Sequence, residues 1–177
     1  MNYKKGILGV SFCSCLLLLM GCIKEMKEPI REEAWFPIYE SVTKTKEIKS
    51  VAARQPQFGG KIYAWEDYLF QLEPNQGIHI YQLKDKKINP YGFIQVYGAQ
   101  EIAIRNRVLY TNNFNDIISL DIQDLKNVSV LGRVENVFEI KESALPPEMG
   151  YFECVDPNKG RVVGWELKKN VNVKCRY

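Results

Sequence analysis

Histidine is almost missing from this chain: His79 is the only one among 177 residues. A histidine-based metal site or a catalytic histidine pair needs a second, so neither is expected. No Gly-x-Ser-x-Gly elbow, zinc-binding spacing or nucleotide-binding glycine loop occurs anywhere. No long segment carries a helical period of apolar residues after the N-terminal region. A large excess of one charge sign is also lacking, with 24 Lys and Arg against 21 Asp and Glu. These absences leave no enzyme chemistry, metal or cofactor to assign.

What is present begins at the N-terminus. Lys4 and Lys5 precede an apolar run from Gly6 to Met20, broken only by Ser11 and Ser14. A spanning helix needs about 20 apolar residues, so this run is short for a membrane span. A cationic flank, a short apolar run and small residues at its end read as a secretory signal. The end, Leu19-Met20-Gly21-Cys22, resembles the lipobox of bacterial lipoproteins. That resemblance implies cleavage between Gly21 and Cys22 and acylation of Cys22. Two or three acyl chains, at about 0.8 kcal/mol per buried CH₂, hold a protein on a bilayer almost permanently. The alternative is an uncleaved anchor with an incidental cysteine, and the charged stretch directly after Cys22 weighs against it. Ile23 follows Cys22, so the aspartate that retains some lipoproteins at the inner membrane is absent. This points to the outer membrane, with the face left open.

Cleavage removes Lys4 and Lys5 and no acid, which leaves 22 basic against 21 acidic side chains. That balance argues against nucleic acid as a partner, because such a surface needs clustered excess cations. Residues 23–57 are polar. Ile23–Glu33 reads as a flexible tether, and a short helix is predicted over Thr45–Ala53, stopped by Pro56.

From Gly60 the chain turns to short runs of β-branched and aromatic residues divided by Asn, Asp, Gly and Pro. Strands are predicted at 61–65, 68–72, 77–83, 91–96, 101–105, 108–111, 116–122 and 128–134. A shift of 40 residues aligns this region on itself without a gap. Ile62 falls on Ile102, Leu69-Phe70 on Leu109-Tyr110, Ile78 and Ile80 on Ile118 and Leu120, and Gly92 on Gly132. Four strands in about 40–45 residues is the content of one propeller blade. A closed ring needs about four blades, and the length here allows two. The expectation is an all-β fold: two propeller-blade-like antiparallel repeats in an open arrangement. The chain divides into a signal at 1–21, a lipidated cysteine with tether and helix at 22–57, two repeats at 58–139 and a C-terminal region at 140–177. There Arg161–Leu167 and Val171–Lys174 read as a hairpin across Lys168-Lys169-Asn170.

Two motifs carry a family resemblance. Ile117-Ile118-Ser119-Leu120-Asp121 resembles the Leu-Val-Ile-Val-Asp motif of LVIVD-repeat proteins, and Gly77-Ile78-His79-Ile80-Tyr81 is similar to a first copy with Tyr81 in place of the acid. Gly60–Tyr63, Glu73–Gly77 and Glu135–Phe138 also resemble segments of LVIVD-type lipoproteins of Bacteroidetes-like bacteria. The resemblance covers about residues 39–139. It implies a propeller-like β fold on the cell envelope and brings no catalytic residues.

The remaining candidates each have a plainer reading. Cys154 and Cys175 remain once Cys22 is lipidated, and an exported compartment permits a disulfide. Free thiols or a redox pair are the alternatives, although redox pairs favour Cys-x-x-Cys spacing. His79 lies on the face opposite Ile78 and Ile80 and reads as a half-exposed strand residue with a local hydrogen bond, not as a ligand contact. Asp121 with Asp124, and the run Asn112–Asp116, are rich in oxygen and could hold calcium, but they read first as turn residues tying backbone N–H groups. Tyr63, Trp65, Tyr68, Phe70 and Trp165 are either core or a sugar-stacking surface. Gly160–Glu166 reads as a strand with close-packed glycines. The partners expected are a lipid bilayer, through Cys22, and another envelope protein or surface component. A glycan-binding accessory role is the alternative.

Overall fold

The computed structural model describes residues 29–138 and 145–177. The signal segment, Gly21, Cys22 and the start of the tether lie outside the described residues. Among the described residues are thirteen strands, one short α-helical turn and a 3-10 turn at Pro157–Lys159: β1 (Arg31–Glu40), α1 (Val42–Thr45), β2 (Lys49–Val51), β3 (Ile62–Trp65), β4 (Tyr68–Glu73), β5 (Gly77–Lys84), β6 (Lys87–Gln95), β7 (Ile102–Arg105), β8 (Val108–Asn113), β9 (Asp116–Asp121), β10 (Ser129–Val134), β11 (Tyr151–Phe152), β12 (Arg161–Val171) and β13 (Cys175–Arg176). They form three open sheets. The chain is therefore all-β, and no sheet closes on itself.

β3 to β6 make an antiparallel meander, and β7 to β10 make a second. Tight turns enforce the hairpins. Asp85 and Lys86, and likewise Asn106 and Arg107, take positive φ at both central positions. That backbone twist matches the twist of the flanking strands.

Cross-strand pairs share a face, so the registers show what each sheet buries. Phe70 lies opposite Ile80 and Leu72 opposite Ile78. Leu109 lies opposite Leu120 and Thr111 opposite Ile118. These faces meet in one core cluster that includes Phe70, Leu72, Ile78, Ile80 and Ile94 from the first sheet and Ile104, Leu109, Ile118 and Leu120 from the second. The two sheets stack head to tail. In the 40-residue register the counterpart of inward Phe70 is Tyr110, which points outward and is 42% exposed. The counterpart of outward Leu69 is inward Leu109. The second sheet thus presents to the first the face that the first turns away.

The connectors repeat as well. Gln57 N–H donates to Glu73 Oε1, and Asn113 Nδ2 donates to the carbonyl of Tyr97, with both pairs 40 residues apart. Lys61 and Glu101, also 40 apart, form an ion pair across the stack. Gly98 N–H donates to Asn75 O, and Phe138 N–H donates to Asn115 O.

The gapless alignment fails at one point. The turn after β4 holds three residues, since Glu73 pairs with Gly77, whereas the turn after β8 holds two, since Asn113 pairs with Asp116. Ile78 therefore corresponds to Ile117, not Ile118. The register recovers in the β9–β10 connection, which is one residue longer than its β5–β6 counterpart, since Gln82 pairs with Asn89 but Asp121 with Ser129. Gly92 does correspond to Gly132, and they lie opposite Ile80 and Ser119.

Three other expectations are corrected. The tether does not extend to Glu33, because β1 begins at Arg31 and pairs with β12 from Arg31↔Val171 to Glu40↔Arg161. The helix over Thr45–Ala53 is not formed. Ser41 caps a four-residue turn ending at Thr45, accepting from Lys44 N–H at 3.2 Å, and Lys49–Val51 pairs with β6 as a strand. The β-branched Ile48 and Val51 suit a sheet edge better than a helix. The C-terminal hairpin is absent too. β12 runs unbroken through Lys168-Lys169-Asn170 and pairs with β1, while β13 pairs with β11. A turn there would have required giving up the long β1 ladder. The resulting terminal sheet, in the order β12-β1-β11-β13, packs across the end of the first meander where the β4–β5 turn lies.

Candidate functional site

Among the described residues, two buried polar clusters and a cavity are places where chemistry could reside. The first cluster sits on the outward face of the first sheet. Glu73, 0% exposed, receives Arg54 Nη2 at 2.7 Å and Gln57 N–H at 2.9 Å, and lies 2.7 Å from His79 Nε2. His79 is 1% exposed and packs on Phe93 at 4.7 Å between centroids, and Arg54 stacks over the same Phe93 ring at 4.2 Å. Residues 52–58 thus lie across this face and are tied down by a carboxylate. A histidine–carboxylate pair can relay a proton only if a substrate reaches it, and this one is sealed. His79 is fully buried against Glu73, where the sequence reading expected a half-exposed strand residue with a local hydrogen bond. Its strand alternation placed it opposite the isoleucines, but nothing in the spacing announced Glu73 or Arg54 as its partners.

The second cluster occupies the equivalent place in the second repeat, where Asn113 stands for Glu73. Arg133 Nη1 donates to Asn113 Oδ1 at 2.8 Å and to Asp116 Oδ2 at 2.6 Å, and Arg133 Nη2 donates to the carbonyl of Lys46 at 3.0 Å. Asp116 is 2% exposed. Burial alone would raise its pKa, but the Asn136 N–H and the Arg133 guanidinium outweigh that and hold it below the ordinary value. Asn112 Oδ1 accepts from the N–H groups of Gln100 and Glu101, and its Nδ2 donates to Gly98 O and Phe114 O. The oxygen-rich run Asn112–Asp116 is therefore used internally. Asp121 and Asp124 each accept from a backbone N–H two residues on, at 2.9 Å, as turn residues do. No group of three metal-ligating side chains occurs among the described residues.

The cavity lies where the terminal sheet meets the first meander and encloses about 560 Å³. Its walls come from Ile38 on β1, Val162–Trp165 on β12, the β4–β5 turn at Pro74–Gln76, Gln57 and Phe58 of the covering segment, Tyr97, and Leu145 with Pro147. Gln76 Nε2 donates to the carbonyl of Val163 at 2.8 Å and so clips the two sheets together. Trp165 is held edge-on against Phe152, with centroids 5.7 Å apart at 85°. No described lining residue carries a charge. The volume falls within the range of about 300–1,000 Å³ typical of small-ligand sites. Sequence reading raised Trp165 and its own strand but did not join them to the facing walls, which come from five other stretches of chain.

Of the other aromatic candidates, Trp65 and Tyr68 pack against the core cluster and Phe70 is part of it. Tyr63 is 37% exposed and its hydroxyl donates to Ile104 O at 3.2 Å. Cys154 and Cys175 are disulfide-bonded, with sulfurs 2.01 Å apart. The bridge pins the C-terminal strand to the segment that carries Phe152. Gly160 takes φ +114 against the carbonyl of Glu40, and Gly164 lies within β12. No described helix is long and apolar enough to cross a membrane.

Comparison with known protein families, with curated proteins and with solved structures finds no match to this chain.

Proposed function

We propose that this chain is a lipoprotein of the cell envelope, held in the outer membrane by acylated Cys22. Its β domain is a non-enzymatic module that binds another envelope protein or a surface component. The observation that carries the reading is Leu19-Met20-Gly21-Cys22 at the end of a short apolar run behind Lys4 and Lys5. Support comes from the polar groups of the domain, since the buried carboxylates and the one histidine are spent on internal bonds. The two meanders are read as propeller-type blades in an open stack, supported by their head-to-tail packing and by connector bonds that recur at 40 residues. The resemblance to LVIVD-repeat lipoproteins agrees with this reading. It involves no nucleic acid, metal or cofactor.

Metabolic labelling with an alkyne palmitate in a bacterial host tests the anchor. The full chain takes up label and migrates as a shortened protein, and Cys22→Ala does neither. Label persisting in Cys22→Ala would refute the assignment. Protease shaving of intact cells then reports the face.

A further inference from the structure

We propose that the cavity between the terminal sheet and the first meander is a binding site for an uncharged saccharide. This identifies the surface component of the proposed function and rests on that reading for its biological setting only. The argument starts from what the walls lack. No described lining residue is charged, so no described side chain there pairs with a phosphate, a carboxylate or an ammonium group, and the described walls give a charged ligand no recompense for lost hydration. What the walls supply is of two kinds. Phe58, Tyr97 and Trp165 line it as aromatic residues, and Gln57, Asn75 and Gln76 as carboxamide-bearing ones. Asn75 Oδ1 is buried without a partner, while Gln76 already donates to the Val163 carbonyl. A carboxamide donates and accepts at one site, which is what a hydroxyl requires. Aromatic faces suit the apolar C–H side of a sugar ring. An acyl chain would make no use of three carboxamides.

The site is also built to hold its shape. Trp165 is braced by Phe152, and Phe152 pairs across the terminal sheet with disulfide-bonded Cys175. The Gln76 clip to Val163 fixes the distance between the two walls. Phe58, by contrast, is 53% exposed and stands at the rim.

The test is calorimetric titration of the purified full chain with three neutral oligosaccharides, cellohexaose, maltohexaose and N-acetylchitohexaose, alongside hexagalacturonate and decaproline. At least one neutral oligosaccharide binds with a dissociation constant below about 1 mM, and hexagalacturonate does not. Trp165→Ala weakens that binding by about tenfold. Because Trp165 also packs, Phe58→Ala is the companion variant: it weakens binding about threefold at an unchanged melting temperature. Failure of all three neutral probes overturns the proposal, as does binding that both variants leave intact, or binding of decaproline in their place. Cys22→Ala separates the two readings, since it loses palmitate while keeping the saccharide. Loss of saccharide binding with palmitate intact would count against this site alone.

Discussion

Glu73 is the side chain whose removal the structure makes most costly. It is fully buried and serves three donors: the Arg54 guanidinium, the Gln57 N–H and the His79 ring. Glu73→Ala strands the His79 ring in a closed interior and takes the acceptor from the part-buried Gln57 N–H, while Arg54, with its side chain 34% exposed, can turn to water. Breaking a buried charged pair costs about 3–5 kcal/mol, and an orphaned buried donor costs about 1–3 kcal/mol. These overlap, so about 4 kcal/mol is expected for Glu73→Ala. Against a total stability of about 5–15 kcal/mol, that lowers the melting temperature by roughly 10 °C. Glu73→Gln keeps the volume and one acceptor and loses about 2 kcal/mol. Arg54→Ala loses somewhat less, about 3 kcal/mol, because the buried Glu73 carboxylate loses its cation but keeps two donors. Urea titration followed by circular dichroism gives the three values, and amide exchange shows residues 52–60 opening first in Glu73→Ala. A loss under about 1 kcal/mol for Glu73→Ala, or a larger loss for Arg54→Ala than for Glu73→Ala, would refute this account of how the first sheet is covered.

Three further outcomes follow from other features. Replacing Cys154 and Cys175 together by alanine lowers stability by about 3 kcal/mol through the freed loop of 21 residues, measured by thermal melting; no change on reduction would count against it. Asp116 has its pKa held below the unfolded value of about 3.9, so its contribution is complete above that pH and is lost as pH falls through the folded value. Asp116→Asn should therefore show a shallower acid loss than the parent below about pH 4, and parallel melting curves would contradict the ion pair. Gly98→Ala forces a Cβ to within 2.6–2.9 Å of Phe114 at φ +74 and costs about 2–4 kcal/mol; a denaturant midpoint unchanged from the parent would show that this turn relaxes freely.

The eight strands from 62 to 134 were legible because each is short, β-branched and bounded by turn residues, and because the unit occurs twice. The head-to-tail stack was not legible, since the gapless alignment hides the extra residue after β4 and so puts Ile78 and Ile118 on the same apparent face. β1 was missed for a different reason. Its sequence, with charges at Arg31, Glu32 and Glu33 and a proline at Pro37, reads as tether. Pro37 is tolerated because β11 pairs with β1 only at Trp35, leaving an open edge beyond. The cavity could not be foreseen, since its walls depend on β12 pairing with β1 and not with β13. Trp165 carried the one visible signal, an aromatic residue between glycine and acid in a predicted strand.

The pairing of β1 with β12 joins residues about 130 positions apart, whereas every hairpin of the two meanders joins neighbours. Local pairings close quickly and distant ones slowly. As the chain emerges from the ribosome or from a translocation channel, each meander can assemble within its own stretch of about 40 residues. β1 emerges first and must wait, unpaired, until the last residues are free. The long interval before its partner arrives makes β1 the segment a chaperone would most need to shield, and the terminal sheet the last part of the molecule to mature.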